Sequence, residues 1–200
     1  KPGVYVRQKS TGDYEAFIPV QGAALRLWME PSTGRLHLQQ GTTNVDWYPI
    51  MSALGVSESD MLEALGRDQR AQELLDINKK FRGSADSQVD KLYRSVFKEK
   101  TDRDMAKANL AARSDVSISD PAAQIAAIRD WMSNKRVDPF VTKRTLGTEY
   151  RSLSTDLLLK ATRKVLGVVR GEMKEDDRES PEYRSIHATD DMLPERITRA

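Results

Sequence analysis

The chain contains no cysteine. That excludes disulfides, thiolate metal sites and cysteine nucleophiles together, and it fits a reducing compartment. Histidine is nearly as scarce. Only His37 and His187 occur, too few for a histidine-rich metal site. Neither lies in a Gly-x-Ser-x-Gly setting, so a hydrolytic triad has no support. No glycine-rich phosphate loop is present. The nearest text, Gly167-Val168-Val169-Arg170-Gly171, closes a predicted helix and reads as a packing glycine followed by a helix stop. No apolar run approaches the roughly 20 residues of a membrane span, and no signal peptide is visible. An excess of one charge is missing too, since Lys+Arg total 32 against Asp+Glu 30, a net charge of +2. A free-standing nucleic-acid binder is usually more basic, so any DNA contact has to come from a local patch.

What is present is a 200-residue chain, 38% hydrophobic and 31% charged, enough for one large domain or two small ones with a polar surface. Two carboxylate pairs, Asp176-Asp177 and Asp190-Asp191, are the only groupings that suggest Mg²⁺. Such pairs are common on solvated loops, and a metal site needs a further converging ligand, so the loop reading is preferred. Aromatics make up only 6%. Trp28, Trp47 and Trp131 suit core or interface anchors better than a base-stacking surface.

Periodicity divides the chain. Tyr14 to Val20 reads as a strand, after a turn at Lys9-Ser10-Thr11-Gly12-Asp13. Leu25, Leu27 and Met29 alternate with Arg26 and Trp28, Pro31-Ser32-Thr33-Gly34 supplies a turn, and Leu36 and Leu38 alternate again. Residues 25–40 therefore read as a β-hairpin, with His37 on the face opposite the leucines and exposed. From Trp47 the period is helical. Pro49 suits a first turn, Ser57 with Asp60 resembles a capping box, and Gly55 and Gly66 are stops. A helix is expected over Gln69 to Phe81, a loop over 83–87, and two separate helices over Val89 to Phe97 and Asp102 to Arg113. Asp120 caps a helix with Pro121 at its first position, and Asp138-Pro139 breaks it. A last helix runs from about Thr155 to Arg170. The fold class is α+β, with N-terminal antiparallel strands and hairpin, a mainly helical lobe and a returning C-terminal helix. The expected division is 1–48 strand-rich base, 49–150 helical lobe, and 151–200 returning helix with the Asp-Asp-Arg segment packing on the base.

Three stretches carry a resemblance. They are Lys1-Pro2-Gly3-Val4-Tyr5, then Ile18-Pro19 through Gln21-Gly22 to Leu27-Trp28-Met29-Glu30-Pro31, and Asp176-Asp177-Arg178-Glu179 followed by Tyr183-Arg184-Ser185-Ile186. In this order they resemble the protrusion–lobe region of the β subunit (the second-largest subunit) of multi-subunit DNA-directed RNA polymerases. Tyr48 to Gly55 and the helix before Asp176 are similar to the family as well; the middle, about Gly66 to Thr155, matches by position and helical character alone. The chain opens inside a motif, on Lys1, and so reads as an excised piece. Its lobe is shorter than the family's, which would suit a viral polymerase, such as that of a large phage with split subunits, working in the host cytoplasm or a phage compartment.

The resemblance implies a noncatalytic module that walls the DNA cleft, with other polymerase subunits and DNA (downstream duplex and nontemplate strand) as partners, and no membrane. The Mg²⁺ ions and catalytic residues of the whole enzyme lie elsewhere, so no cofactor is expected in this piece. It further implies that Gln21, Glu179 and Arg184 border a pocket for a nontemplate-strand base, with Arg178 beside them as a further DNA-binding residue. Gln21 replaces the arginine of cellular enzymes, keeping hydrogen-bonding capacity without charge. Lys160, Arg163, Lys164, Arg178 and Arg184 are candidates for phosphate contacts. The competing reading is a free-standing protein-interaction module anchored by Trp28 and Trp131.

Overall fold

A computed structural model describes residues 1–80, 84–107 and 119–180, with 98–107 as backbone only. Five strands, β1 (Tyr5–Gln8), β2 (Tyr14–Val20), β3 (Ala23–Met29), β4 (Leu36–Gln40) and β5 (Thr43–Asp46), form an antiparallel meander in chain order. Among the described residues seven helices follow: α1 (Trp47–Ala53), α2 (Glu58–Leu65), α3 (Gln69–Lys80), α4 (Ala85–Lys107), α5 (Pro121–Asn134), α6 (Pro139–Leu146) and α7 (Thr155–Val169). The fold is thus α+β, with an N-terminal antiparallel five-stranded sheet followed by helices. No described helix is long and apolar enough to cross a membrane.

The period-2 alternation places one apolar row straight across the sheet. Val6, Ala16, Leu27, Leu38 and Val45 are register partners in turn, and all are buried. α7 covers this face over β1, β2 and β3; α1 and α4 cover it over β4 and β5. α7 is suited to the task because Leu157, Leu158, Ala161, Val165 and Leu166 recur at helical spacing and are all buried. α2 packs on α7, and α5 on α4. The buried side chains form one cluster drawn from the strands, the middle helices and α7 alike, so 1–48, 49–150 and 151–180 share a core.

Several local expectations hold. The hairpin pairs Leu25 with Gln40, and Ser57 Oγ accepts from the Asp60 amide at the start of α2. Asp120 caps α5 through the Ala123 amide. Three others do not. The loop expected at 83–87 gives way to helix from Ala85, and α4 runs without a break where two helices were expected. Lys98 to Asp102 interrupts the apolar period but contains neither Gly nor Pro, so nothing stops the backbone hydrogen bonds. Residues 108–113 of the second expected helix, with Phe81 of an earlier one, lie outside the described residues. Asp138-Pro139 does not break α5, which already stops at Asn134, but starts another helix: Asp138 Oδ1 accepts from the Phe140 and Val141 amides, giving α6 the same cap-plus-proline start as α5.

The opening motif is fixed by α6. The Asp138 amide donates to Pro2 O at 3.0 Å and the Gly3 amide to Pro19 O at 3.1 Å. A Cβ on Gly3 would stand 2.4 Å from Val141 Cγ1, a buried β-branched side chain with no room to move. Only glycine allows this approach.

Candidate nucleic-acid interface

The other face of the sheet is neither apolar nor empty. Its rows read Arg7–Glu15–Trp28–His37–Asp46 and Tyr5–Phe17–Arg26–Gln39–Asn44 in register. Cations gather over its rings. The Arg7 guanidinium lies 4.2 Å from the centre of Phe17, that of Arg26 5.8 Å, and Lys9 Nζ lies 4.6 Å from the centre of Trp28. Arg7 also donates to Glu15 Oε1 through Nε (3.1 Å) and Nη2 (3.0 Å). Lys9 and Arg26 have no carboxylate partner among the described residues. This face therefore offers positive charge beside half-buried aromatic edges, the combination that suits a nucleic-acid strand.

The chain after α7 returns to the free edge of β1. The Asp176 amide donates to Val6 O at 2.7 Å, and Asp176 Oδ2 accepts from the Val6 amide at 2.9 Å. Glu175 Oε2 accepts from the Gln8 amide at 3.3 Å. This segment covers edge groups that the meander leaves unpaired. Lys164 Nζ on α7 donates to both oxygens of Asp176 (2.6 and 2.7 Å) and to Thr145 O (2.6 Å). The side chains of the pair are only 12% and 8% exposed. Burial pushes the Asp176 carboxyl above its ordinary value, outweighing the Lys164 ammonium and the Val6 amide. Two residues on, the Arg178 guanidinium lies 5.4 Å from the centre of Phe17 and 5.8 Å from that of Tyr5.

The residues expected at or beside a base pocket are therefore distributed as follows. Arg178 joins the aromatic face. Glu179 is one residue further, its amide donating to Asp177 Oδ1 in a tight turn. Gln21 occupies the β2–β3 turn, four residues from Phe17 or about 13 Å along the strand, with its carbonyl accepting from Lys135 Nζ. Arg184 lies outside the described residues, as do His187 and the pair Asp190-Asp191. Asp176-Asp177 is not a solvated pair: Asp176 is held by Lys164 and Val6. Lys164, a candidate phosphate contact by sequence, is instead engaged inside the protein. No group of three or more His, Asp or Glu side chains converges among the described residues.

His37 departs from expectation. It lies opposite the leucines, yet it is only 7% exposed. Trp28, its neighbour across β3 and β4, stacks on it with ring centres 4.5 Å apart. Nδ1 sits 3.4 Å from the Asn44 amide nitrogen and 3.6 Å from Asp46 Oδ1. Burial lowers the imidazole below its ordinary 6.5 and Arg35 adds to the fall; Asp46 and Glu30 oppose it and lose. A histidine held neutral in this way contributes stability that is complete above 6.5 and is lost as pH falls through the depressed native value. Urea denaturation taken from neutral pH downward should show that loss, and His37→Phe, which keeps a ring against Trp28, should flatten it. An unchanged pH slope in H37F would count against a neutral buried imidazole.

Trp28 is partly buried between these neighbours, and Trp131 packs against the core beside Lys135. Sequence reasoning missed Asn78, which is buried on α3. It accepts from the Leu36 amide and donates to Gly34 O, clamping the β3–β4 turn. No apolar period marks such a residue; only its contacts do. No protein-family model matches this sequence, and no curated protein does either.

Proposed function

We propose that the chain is a noncatalytic module of the β subunit of a multi-subunit DNA-directed RNA polymerase, walling part of the DNA cleft and touching the downstream duplex and nontemplate strand. The observation that carries this reading is the junction of the chain's two ends. Val6 and Asp176, 170 residues apart, exchange hydrogen bonds. That junction brings the Asp-Asp-Arg segment onto the sheet that follows the Pro-Gly-Val motif, and sets Arg178 over Phe17 and Tyr5. These are the stretches that resemble the polymerase subunit, and together they make one cationic, aromatic face.

On this reading the sheet positions phosphates through Arg178, Arg26 and Lys9, and Gln21 offers an amide at the end of the same β2–β3 hairpin. The metal-binding aspartates then lie on another subunit and the catalytic lysines later in the β subunit. The isolated chain is expected to bind duplex DNA weakly, with affinity falling as salt rises. Arg178→Ala should lower the slope of log affinity against log salt by about 1. In the assembled polymerase, Arg178→Ala and Arg184→Ala should change pausing on templates varied at the downstream nontemplate base. Unaltered DNA affinity and salt slope in R178A, or primer extension by this chain alone, would overturn the proposal.

A further inference from the structure

A cleft of about 480 Å³ opens beside α7, between the end of α6 and the segment that follows α7. Its position follows from Gly167. The Glu172 and Met173 amides both donate to Gly167 O (2.8 and 3.0 Å), folding the chain back over the helix. The Met173 thioether fills the space a Cβ would take at Gly167, where Sδ would lie 2.8 Å away. Met173 thereby becomes one wall and Lys174 stands at the rim. Lys160 and Arg163 project from the same side of α7, three residues apart.

No carboxylate lines this cleft except through Lys164, which is already bound to Asp176. The Lys160 ammonium donates to Thr148 Oγ1 alone, and neither the Arg163 nor the Lys174 side chain forms an ion pair or hydrogen bond with any described residue. Carboxylates do stand nearby: Asp60, Glu63 and Asp156 face Lys160 and Arg163 across an adjoining cleft. Glu63 is paired with Arg67, while Asp60 and Asp156 accept from the Ser57 and Tyr150 hydroxyls and keep their charge, but neither forms an ion pair with Lys160 or Arg163. Three like charges therefore share one concavity whose own lining holds no carboxylate except the one bound to Lys164.

We infer that this cleft is a phosphate-binding site. A tetrahedral dianion or a phosphodiester brings negative charge into contact with these groups and accepts from the planar fork of Arg163 and from two ammonium groups. The volume falls in the range of small-ligand sites and admits more than one phosphate. α7 packs on the apolar face of the sheet, so the cleft opens on the side away from Phe17 and Arg178. The inference therefore goes beyond the sheet-face reading and stands without it. The phosphate has two sources, a nucleic-acid backbone or a free polyphosphate.

The test titrates the chain with inorganic pyrophosphate by calorimetry and, separately, with a labelled DNA duplex over a salt series. It compares wild type with Arg163→Gln/Lys174→Gln and with Lys174→Gln alone, after thermal unfolding confirms that each is folded. Both side chains are exposed, so the folds should persist. If the ligand is a free polyphosphate, pyrophosphate binds and the double variant loses about tenfold or more in affinity, roughly the worth of one charge-assisted contact. If it is a backbone phosphate, pyrophosphate binds feebly and the duplex salt slope falls by about 2 in the double variant and about 1 in K174Q. Wild-type behaviour of both variants toward both ligands overturns the inference. R178A serves as the separate control: loss of duplex binding there, with neither duplex nor pyrophosphate binding altered in R163Q/K174Q, removes this site and leaves the polymerase reading standing.

Discussion

Lys164→Ala is expected to destabilise the protein by about 3–5 kcal/mol, the usual cost of removing one partner from a buried ion pair. That corresponds to a fall in Tm of roughly 6–20 °C for a chain of this size. The substitution strips Asp176 of both its ammonium contacts and leaves Thr145 O without its donor. Only the Val6 amide would then face a carboxylate whose side chain is 8% exposed. The sign of the pH effect follows. Asp176 already holds its proton more tightly in the native state than in the unfolded chain, because burial raises it. Loss of Lys164 raises it further, so the deficit of the variant should shrink as pH falls toward and through that raised value. Asp176→Asn combined with Lys164→Met should recover part of the loss, with a coupling of ~0.5–3 kcal/mol in the double-mutant cycle. Urea denaturation at neutral and acid pH measures all of this. A Lys164→Ala variant as stable as wild type at neutral pH would mean that the pair does not hold the returning segment. The substitution also tests function, since the same segment carries Arg178 to Phe17. Salt-dependent DNA binding should weaken with it.

Trp47→Ala should cost about as much, ~3–5 kcal/mol, for a different reason. The ring is fully buried at the first residue of α1, where strand gives way to helix. Its Nε1 donates to Thr162 Oγ1 on α7 at 3.1 Å, and Thr162 in turn donates to Leu158 O at 2.8 Å. Truncation to alanine leaves a cavity where the β5–α1 junction meets α7, but it strands no polar atom, because Thr162 keeps its bond to Leu158. Thr162→Val does the reverse. It keeps the packing and leaves the indole N–H unsatisfied, at a cost of about 1–3 kcal/mol. Chemical denaturation of the two variants separates cavity from hydrogen bond. A small effect of Trp47→Ala would show that the site collapses readily and that the junction is not close-packed.

Much of the fold is legible in local sequence. The alternation of Leu25, Leu27, Leu36 and Leu38 gives the hairpin and its buried face, since a pleated strand must send successive side chains to opposite sides. Ser57, Asp120 and Ser154 cap the helices they precede because a short oxygen-bearing side chain reaches amides two or three residues on. The same rule applied to Asp138 gives α6, although a proline after an aspartate is as easily taken for a break. Candidate site residues were less legible. Arg178 lies over Phe17, a placement no local pattern marks, whereas Gln21 stands at the turn, away from Phe17.

His37 and Lys164 mark where local reasoning ends. By alternation His37 belongs on the outer face, and it does lie there; whether that face is wet depends on Trp28 from another strand and on the Arg35–Asp46 pair beside it. By helical spacing Lys164 lies off the apolar stripe of α7, and it does; its burial depends on a segment that folds back onto β1 beyond the helix. The sequence by itself determined most of the strands, most helix starts and which faces are apolar, because periodicity and capping act within a few residues; the unbroken α4 and the start of α6 at Pro139 are not read from it. Only the tertiary structure decided which charges are paired and which stand free. A charge finds its partner through space, and here Val6 and Asp176 meet across 170 positions of chain.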